Sequence, residues 1–235
     1  MRPAGALKGR GLDPMRSQPI GIGPEIAAAA KDLRYLVDRS YPKDYALRFV
    51  ADHYRLPKDE RHLLFRVVVG RKAAEARRGK LLPAEAAKGR ALSLDGYNVL
   101  ITTESFLSGA LVFLCDDGLL RDIRGASRSF RRSAITGTAI EAILGLLALI
   151  EPSEVQILFD AQISRSGELA ALLRKGLSSR GLSGTARTCP AVDRELKLCG
   201  MIVATADGHI IDAIEAAVDL PAEVARRRGI VPLRI

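Results

Sequence analysis

The C-terminal part of the chain holds short, largely apolar runs, two of them closed by an acid, separated by stretches with helical spacing. VQILF (155–159) ends in Asp160, and MIVAT (201–205) leads through Ala206 to Asp207. Apolar runs of this length bounded by turn residues suit strands buried on both faces, and their alternation with helical patterns predicts an α/β domain with a mostly parallel sheet flanked by helices. The elements expected are a strand over 94–101, a hairpin or edge strand over 111–115, a buried helix over 135–149 and a strand over 155–159. They continue with a helix over 168–177, strands over 185–189 and 201–204, a helix over 210–216 and a last strand near Val218, before a basic tail at 226–228.

The N-terminal part follows a different rule. Ile26, Ala30, Leu33, Leu36 and Val37 recur at three- and four-residue spacing, and further sets follow Pro42 and Pro57, residues suited to a first helical turn. The resulting division is a disordered lead over 1–25, a small helical domain over 26–70, a basic linker over 71–92 and the α/β domain over 93–235. The lead has no apolar stretch of the secretory kind. The longest apolar run, 139–150, includes Glu141 and falls short of the roughly 20 residues that span a bilayer, so no membrane segment is expected. Residues 1–92 carry 20 Lys and Arg against 10 Asp and Glu, whereas 93–235 carry 16 against 17. A basic surface confined to one part suggests an anionic partner such as nucleic acid, and equally suits a solvated face kept for solubility. Cys115, Cys189 and Cys199 show neither a CxxC pair nor a neighbouring His cluster, which indicates no zinc site or disulfide framework and fits a reducing, cytoplasmic setting.

SLDGYNVLI (93–101) breaks the apolar pattern, because Asp95, Gly96 and Asn98 occupy positions that a buried strand would fill with apolar groups. A second reading starts the strand near Ala91 and turns the chain after Asp95, with Gly96 allowing the turn and Asn98 orienting the carboxylate. In an open parallel sheet, ligands bind beyond the carboxyl ends of the strands, and Asp95, Asp160, Asp193 and Asp207 all fall beside or after strands. Clustered carboxylates raise one another's pKa unless a cation offsets them, which points to Mg²⁺ or Mn²⁺ and to metal-assisted phosphodiester hydrolysis. Singly, Asp160, Asp193 and Asp207 are each as well explained as helix caps.

These motifs resemble the PIN-like superfamily of nucleases, in the NYN-type branch that opens on DGYN. The resemblance rests on LDGYNVL (94–100), ILFDA (157–161), VDRELK (192–197) and IVATAD (202–207). It implies a parallel sheet with an acidic, Mg²⁺- or Mn²⁺-binding pocket that cuts RNA, with Asp95 as a metal ligand held in place by Asn98 and with Asp160, Asp193 and Asp207 completing the pocket. The chain from Leu33 onward also resembles a largely archaeal, uncharacterised family known as domain of unknown function 434, in which a short helical domain precedes an α/β part.

Two basic, hydroxyl-bearing stretches are candidates for substrate contact. Arg128, Arg131 and Arg132 lie in a loop that also holds Arg121, Arg124, Ser127 and Ser129, and guanidinium forks suit phosphate oxygens. Ser164, Arg165 and Ser166 lead into a helix whose N-terminus can hold a phosphate, or they cap that helix, with Ser166 as N-cap. Asp116–Gly118 reads as a turn between short strands. The reading is a metal-dependent ribonuclease with RNA as partner and no membrane association; a homo-oligomer stays open. Its rivals are a non-catalytic RNA- or ribonucleoprotein-binding module on the same fold and a phosphatase or phosphotransferase acting on a small phosphate ester with Asp160 as nucleophile.

Overall fold

A computed structural model describes residues 22–123 and 130–235. The three N-terminal helices form as the spacing predicts: α1 (Pro24–Val37), α2 (Lys43–His53) and α3 (Lys58–Val67). Proline stands at each start, within the first turn of α1 and as the N-cap of α2 and α3, where its missing N–H deprives no carbonyl of a partner. Ile26, Leu33, Val50, Leu63, Leu64 and Val67 meet in a core that continues into Phe113 and Cys115 and packs against Leu233 and Ile235. The helical domain is therefore joined to the rest of the protein by shared apolar packing.

Residues 71–92, expected as a linker, hold ordered elements. They form α4 (Arg71–Arg78), the edge strand β1 (Leu81–Leu82), a 3₁₀ turn (Ala84–Ala87) and the start of β2 (Ala91–Asp95). A two-residue strand is too short to show periodicity in the sequence. Its pairing with β8 (Ala217–Val218) comes from far along the chain.

The main sheet has the order β1-β8-β7-β2-β5-β6, and every pairing is parallel. From the central β2 the chain runs outward to β5 (Glu154–Asp160) and β6 (Gly184–Cys189), then crosses back past β2 to β7 (Ile202–Ala204) and β8. Parallel crossovers are right-handed, so the outward and return journeys place their helices on opposite faces. On one face α5 (Gly96–Leu107), α6 (Ala134–Ile150), α7 (Ser166–Ser178) and α10 (Leu220–Arg227) bury Leu92, Leu94, Ile157 and Phe159. On the other, α8 (Val192–Leu198) and α9 (Gly208–Ile211) cover Leu158 and Val203. Connections leave the neighbouring strands β2 and β7 in opposite directions, which opens a crevice at their carboxyl ends.

The strand expected over 94–101 is not formed. β2 ends at Asp95 and residues 96–107 are α5, in agreement with the alternative of a turn after Asp95. The cause is burial on all sides: ten residues of α5 between Gly96 and Phe106, all but Asn98, are buried, so the helix lacks the polar face that reveals a 3.6-residue period. Thr103 and Ser105 donate their hydroxyls to the carbonyls of Val99 and Ile101 one turn back, which removes the cost of burying them. The helix expected over 210–216 is the single turn α9. The run at 111–115 is one arm of an antiparallel hairpin, β3 (Val112–Leu114) with β4 (Leu120–Asp122), and Asp116–Gly118 lies in its turn as predicted. No helix among the described residues is long and apolar enough to cross a membrane.

Candidate functional site

The motif DGYN acquires a separate physical reason for each residue. Asp95 is the last residue of β2 and the N-cap of α5, and its Oδ1 accepts the Asn98 N–H at 3.2 Å. Gly96 has no room for a side chain: a Cβ there would lie 2.5 Å from the Phe159 ring and 2.7 Å from the Leu158 carbonyl oxygen. Tyr97 packs edge-on against Phe159 and tilted against Phe130, with centroids 5.0 and 5.3 Å away. Asn98 reaches across the crevice, its Oδ1 accepting the Ala206 N–H at 2.8 Å.

The turn after β7 is held from several sides. The Thr205 hydroxyl donates to Asp95 Oδ2 at 3.1 Å and accepts the Asp207 N–H at 3.1 Å. Asp207 caps α9 by accepting the His209 N–H at 2.7 Å, so the simpler cap reading is met here whether or not the carboxylate also serves chemistry. The Ala206 carbonyl accepts from Arg121 Nε at 2.8 Å. Arg121 is buried, and its two remaining nitrogens grip both oxygens of the fully buried Asp117 at 2.8 Å. Arg77 adds a bond to Asp117 at 3.0 Å and a fork on Asp212. A Cβ at Gly208 would strike the Arg77 guanidinium, 2.3 Å away. Arg121 thus belongs to a buried ion network that fixes the Asp207 turn, rather than to a phosphate-contacting loop; a buried guanidinium needs a paired carboxylate.

The acids differ in their placement. Burial pushes the Asp95 carboxyl up to about 7; the Asn98 N–H and Thr205 hydroxyl oppose this, and the charges of Asp207 and Asp193 add to it. Asp193 is exposed in the first turn of α8, whose N-cap is Ala191, so it is not the cap. Asp160 ends β5, two residues beyond the Leu158 that pairs with Asp95. Its charge, after burial, helps to raise the Tyr97 phenol to about 12. Among the described residues, no three His, Cys, Asp or Glu side chains gather closely enough to hold a metal ion, so the four acids do not form one closed cage. The donor set does fit a hydrated Mg²⁺ or Mn²⁺, which takes one or two carboxylates and keeps water in its other positions. Each oxygen of the buried Asp95 carboxyl already accepts a bond, from the Asn98 N–H and the Thr205 hydroxyl, which fixes its orientation at the end of β2.

The expected substrate residues are largely brought together. Arg131, Arg132, Ser164 and Arg165 line one groove of about 720 Å³, with Tyr97 and Phe130 on its wall. Arg165 is the N-cap of α7 in a left-handed conformation, φ 63°, which few non-glycine residues adopt. Ser166, expected in the groove or as N-cap, is instead the first helical residue and is buried, its N–H donating to the Ile163 carbonyl. Arg128 lies outside the described residues, as do Arg124, Ser127 and Ser129. Sequence reasoning missed the roles of Tyr97, Arg77, Asp117 and Arg121. The available signal was Asp117 and Arg121, opposite charges four residues apart in LCDDGLLRDI, where Cys115, Leu119, Leu120 and Ile123 are apolar.

Fold and site together define a parallel α/β domain with Asp95 and Asp160 at the carboxyl ends of neighbouring strands, preceded by a helical domain. The chain belongs to an uncharacterised family: residues 84–223 match the domain of unknown function DUF5616, and residues 25–80 match the protein of unknown function DUF434. The DUF434 match thus covers the helical domain and α4, and a separate family description covers most of the α/β part. The chain is 35% identical over 200 residues to the uncharacterized protein MJ0935 of Methanocaldococcus jannaschii, over 84% of this chain and 95% of that protein. No solved structure matches.

Proposed function

We propose that the protein is a divalent-metal-dependent ribonuclease of the PIN-like type, acting on RNA phosphodiesters at the crevice between β2 and β7. The observation that carries this reading is Asp95, a carboxylate set at the switch point of a parallel sheet and held there by Asn98 and Thr205, two residues before Tyr97, which lines a groove bearing three arginines. Mg²⁺ or Mn²⁺ would supply charge stabilisation for the scissile phosphate. The chain's own residues hold Asp95 in place through Asn98 and Thr205, fix Asp207 through Arg121, and present guanidinium donors to the neighbouring phosphates.

The second reading, an RNA-binding module without catalysis, is favoured by the lack of a closed three-carboxylate cage among the described residues. Incubation of single-stranded and structured RNA with Mg²⁺ or Mn²⁺ separates the two. Cleavage that falls at least 100-fold in Asp95→Asn and survives in a surface control such as Glu215→Gln supports the nuclease. RNA binding that persists in EDTA, with no cleavage by the parent protein, supports the binding module.

A further inference from the structure

The groove beside Tyr97 has two chemically distinct sides. Its lining includes the apolar and aromatic side chains Ile163, Leu169, Phe130 and Tyr97. Arg131, Arg132 and Arg165 bring three guanidinium groups to the same space, and all three are exposed. Glu168 lies 3.9 Å from both Arg132 and Arg165. That distance is ion pairing without a hydrogen bond, so Glu168 offsets part of the positive charge of Arg132 and Arg165 without taking up their N–H donors. The Tyr97 ring is itself braced by Phe159, making the aromatic wall part of the core. A volume of about 720 Å³ far exceeds what a lone phosphate needs and lies within the range of small-molecule sites.

Flat, sequence-tolerant stacking on an aromatic ring joined to phosphate contacts by arginine is how single-stranded nucleic acid is held. We propose that this groove is a nucleotide subsite, with Arg131, Arg132 and Arg165 on the phosphate and Phe130 against the base. The assignment deepens the ribonuclease reading by naming where a nucleotide next to the scissile bond sits, and its test needs no metal and no cleavage. A free nucleoside monophosphate and one unit of an RNA strand share this chemistry. The groove adjoins the acid edge through Asp160, whose carbonyl accepts the Ile163 N–H at 3.2 Å, so the strand is the occupant expected in the working protein.

The test is fluorescence polarisation with a labelled single-stranded oligoribonucleotide in EDTA, using the full chain carrying Asp95→Asn so that nothing is cut. Adenosine 5′-monophosphate and inorganic phosphate serve as competitors. Arg131→Ala and Arg165→Asn, the latter keeping a residue that tolerates the left-handed backbone, should each weaken binding on the order of ten-fold. Each should also lower the slope of log K against log salt by about 0.7. Phe130→Leu should weaken competition by adenosine monophosphate and leave that by phosphate unchanged. Strand binding that adenosine monophosphate displaces only weakly assigns the subsite to polymer, and displacement at comparable concentration assigns it to the free nucleotide; either upholds the proposal. Binding equal to the parent in both arginine variants overturns it, as does phosphate competing as well as the nucleotide. If the wild-type protein never cuts RNA but the groove variants lose binding, the ribonuclease reading falls and this one stands. Cleavage and binding that both ignore the groove variants give the reverse.

Discussion

Gly96 and Asn98 show how little tolerance the crevice leaves at single positions. A methyl group at residue 96 would overlap both the Phe159 ring and a backbone oxygen, and the backbone cannot move aside without shifting β5. Gly96→Ala should therefore lower stability by about 1–3 kcal/mol, the usual cost of overpacking, seen as a lower urea midpoint with unchanged slope. Asn98→Leu leaves the Ala206 N–H without its partner and should cost a similar amount. A residue-scale pH effect belongs to Asp219, whose carboxyl accepts the N–H groups of Leu120 and Ala222 and is raised by burial from an ordinary 3.8 to about 6. Between those values the folded state holds a proton that the unfolded state has released, so this group's contribution to stability declines as pH rises from about 4 to about 6 and is level above. Asp219→Asn lacks that decline, and its stability relative to wild type should improve across the window. A difference that stays constant from pH 4 to 6 would exclude the assignment. Asp95 and Asn98 were legible in the sequence because polar residues interrupt an apolar run, a local contradiction that only a turn or a site resolves.

At the scale of elements, the hairpin β3–β4 matters more than its six paired residues suggest. Phe113 belongs to the core of the helical domain, Leu120 to the core of the sheet, and Arg121 connects Asp117 to the turn that carries Asp207. Arg121→Met leaves the buried Asp117 with Arg77 as its remaining partner, and breaking such a pair costs on the order of 3 kcal/mol. Chemical denaturation should show that loss. Arg121→Lys, which keeps the charge but not the fork, should recover only part of it. The sequence made the strands β5, β6 and β7 and the helices α1, α2, α3, α6 and α7 readable, because each has either a continuous apolar run or a clear period. It concealed α5, whose burial on every side erases the period, and β1, whose two residues mean nothing without β8. Four acids beside strands were readable too. Their failure to close into one cage was not, since strand order and the direction of each side chain decide that.

For the whole molecule, the decisive feature is that the helical domain has no core of its own that stops at its boundary. Phe113, Cys115, Leu111, Ile123 and Leu233 complete it from the other side, and Arg34 forks onto Asp116 at 2.8 and 2.9 Å. A chain begun at residue 71 should accordingly expose a contiguous apolar face. Enhanced fluorescence of a hydrophobic dye and self-association in sedimentation would reveal it, whereas a well-behaved monomer without dye binding would show that the two parts fold independently.

The return of the chain past β2 also sets an order of events in time. As the polypeptide is made, β2 can pair with β5 once residue 160 is available, yet its other neighbour, β7, lies more than a hundred residues downstream of Asp95. Until residues 202–207 arrive, Asp95 has no Thr205 to bond and Asn98 has no peptide to brace. The acidic crevice is thus among the last parts of the molecule to exist. In a partly synthesised chain Asp95 and the turn that carries Asp207 stay apart, and they meet only after most of the sheet has been laid down.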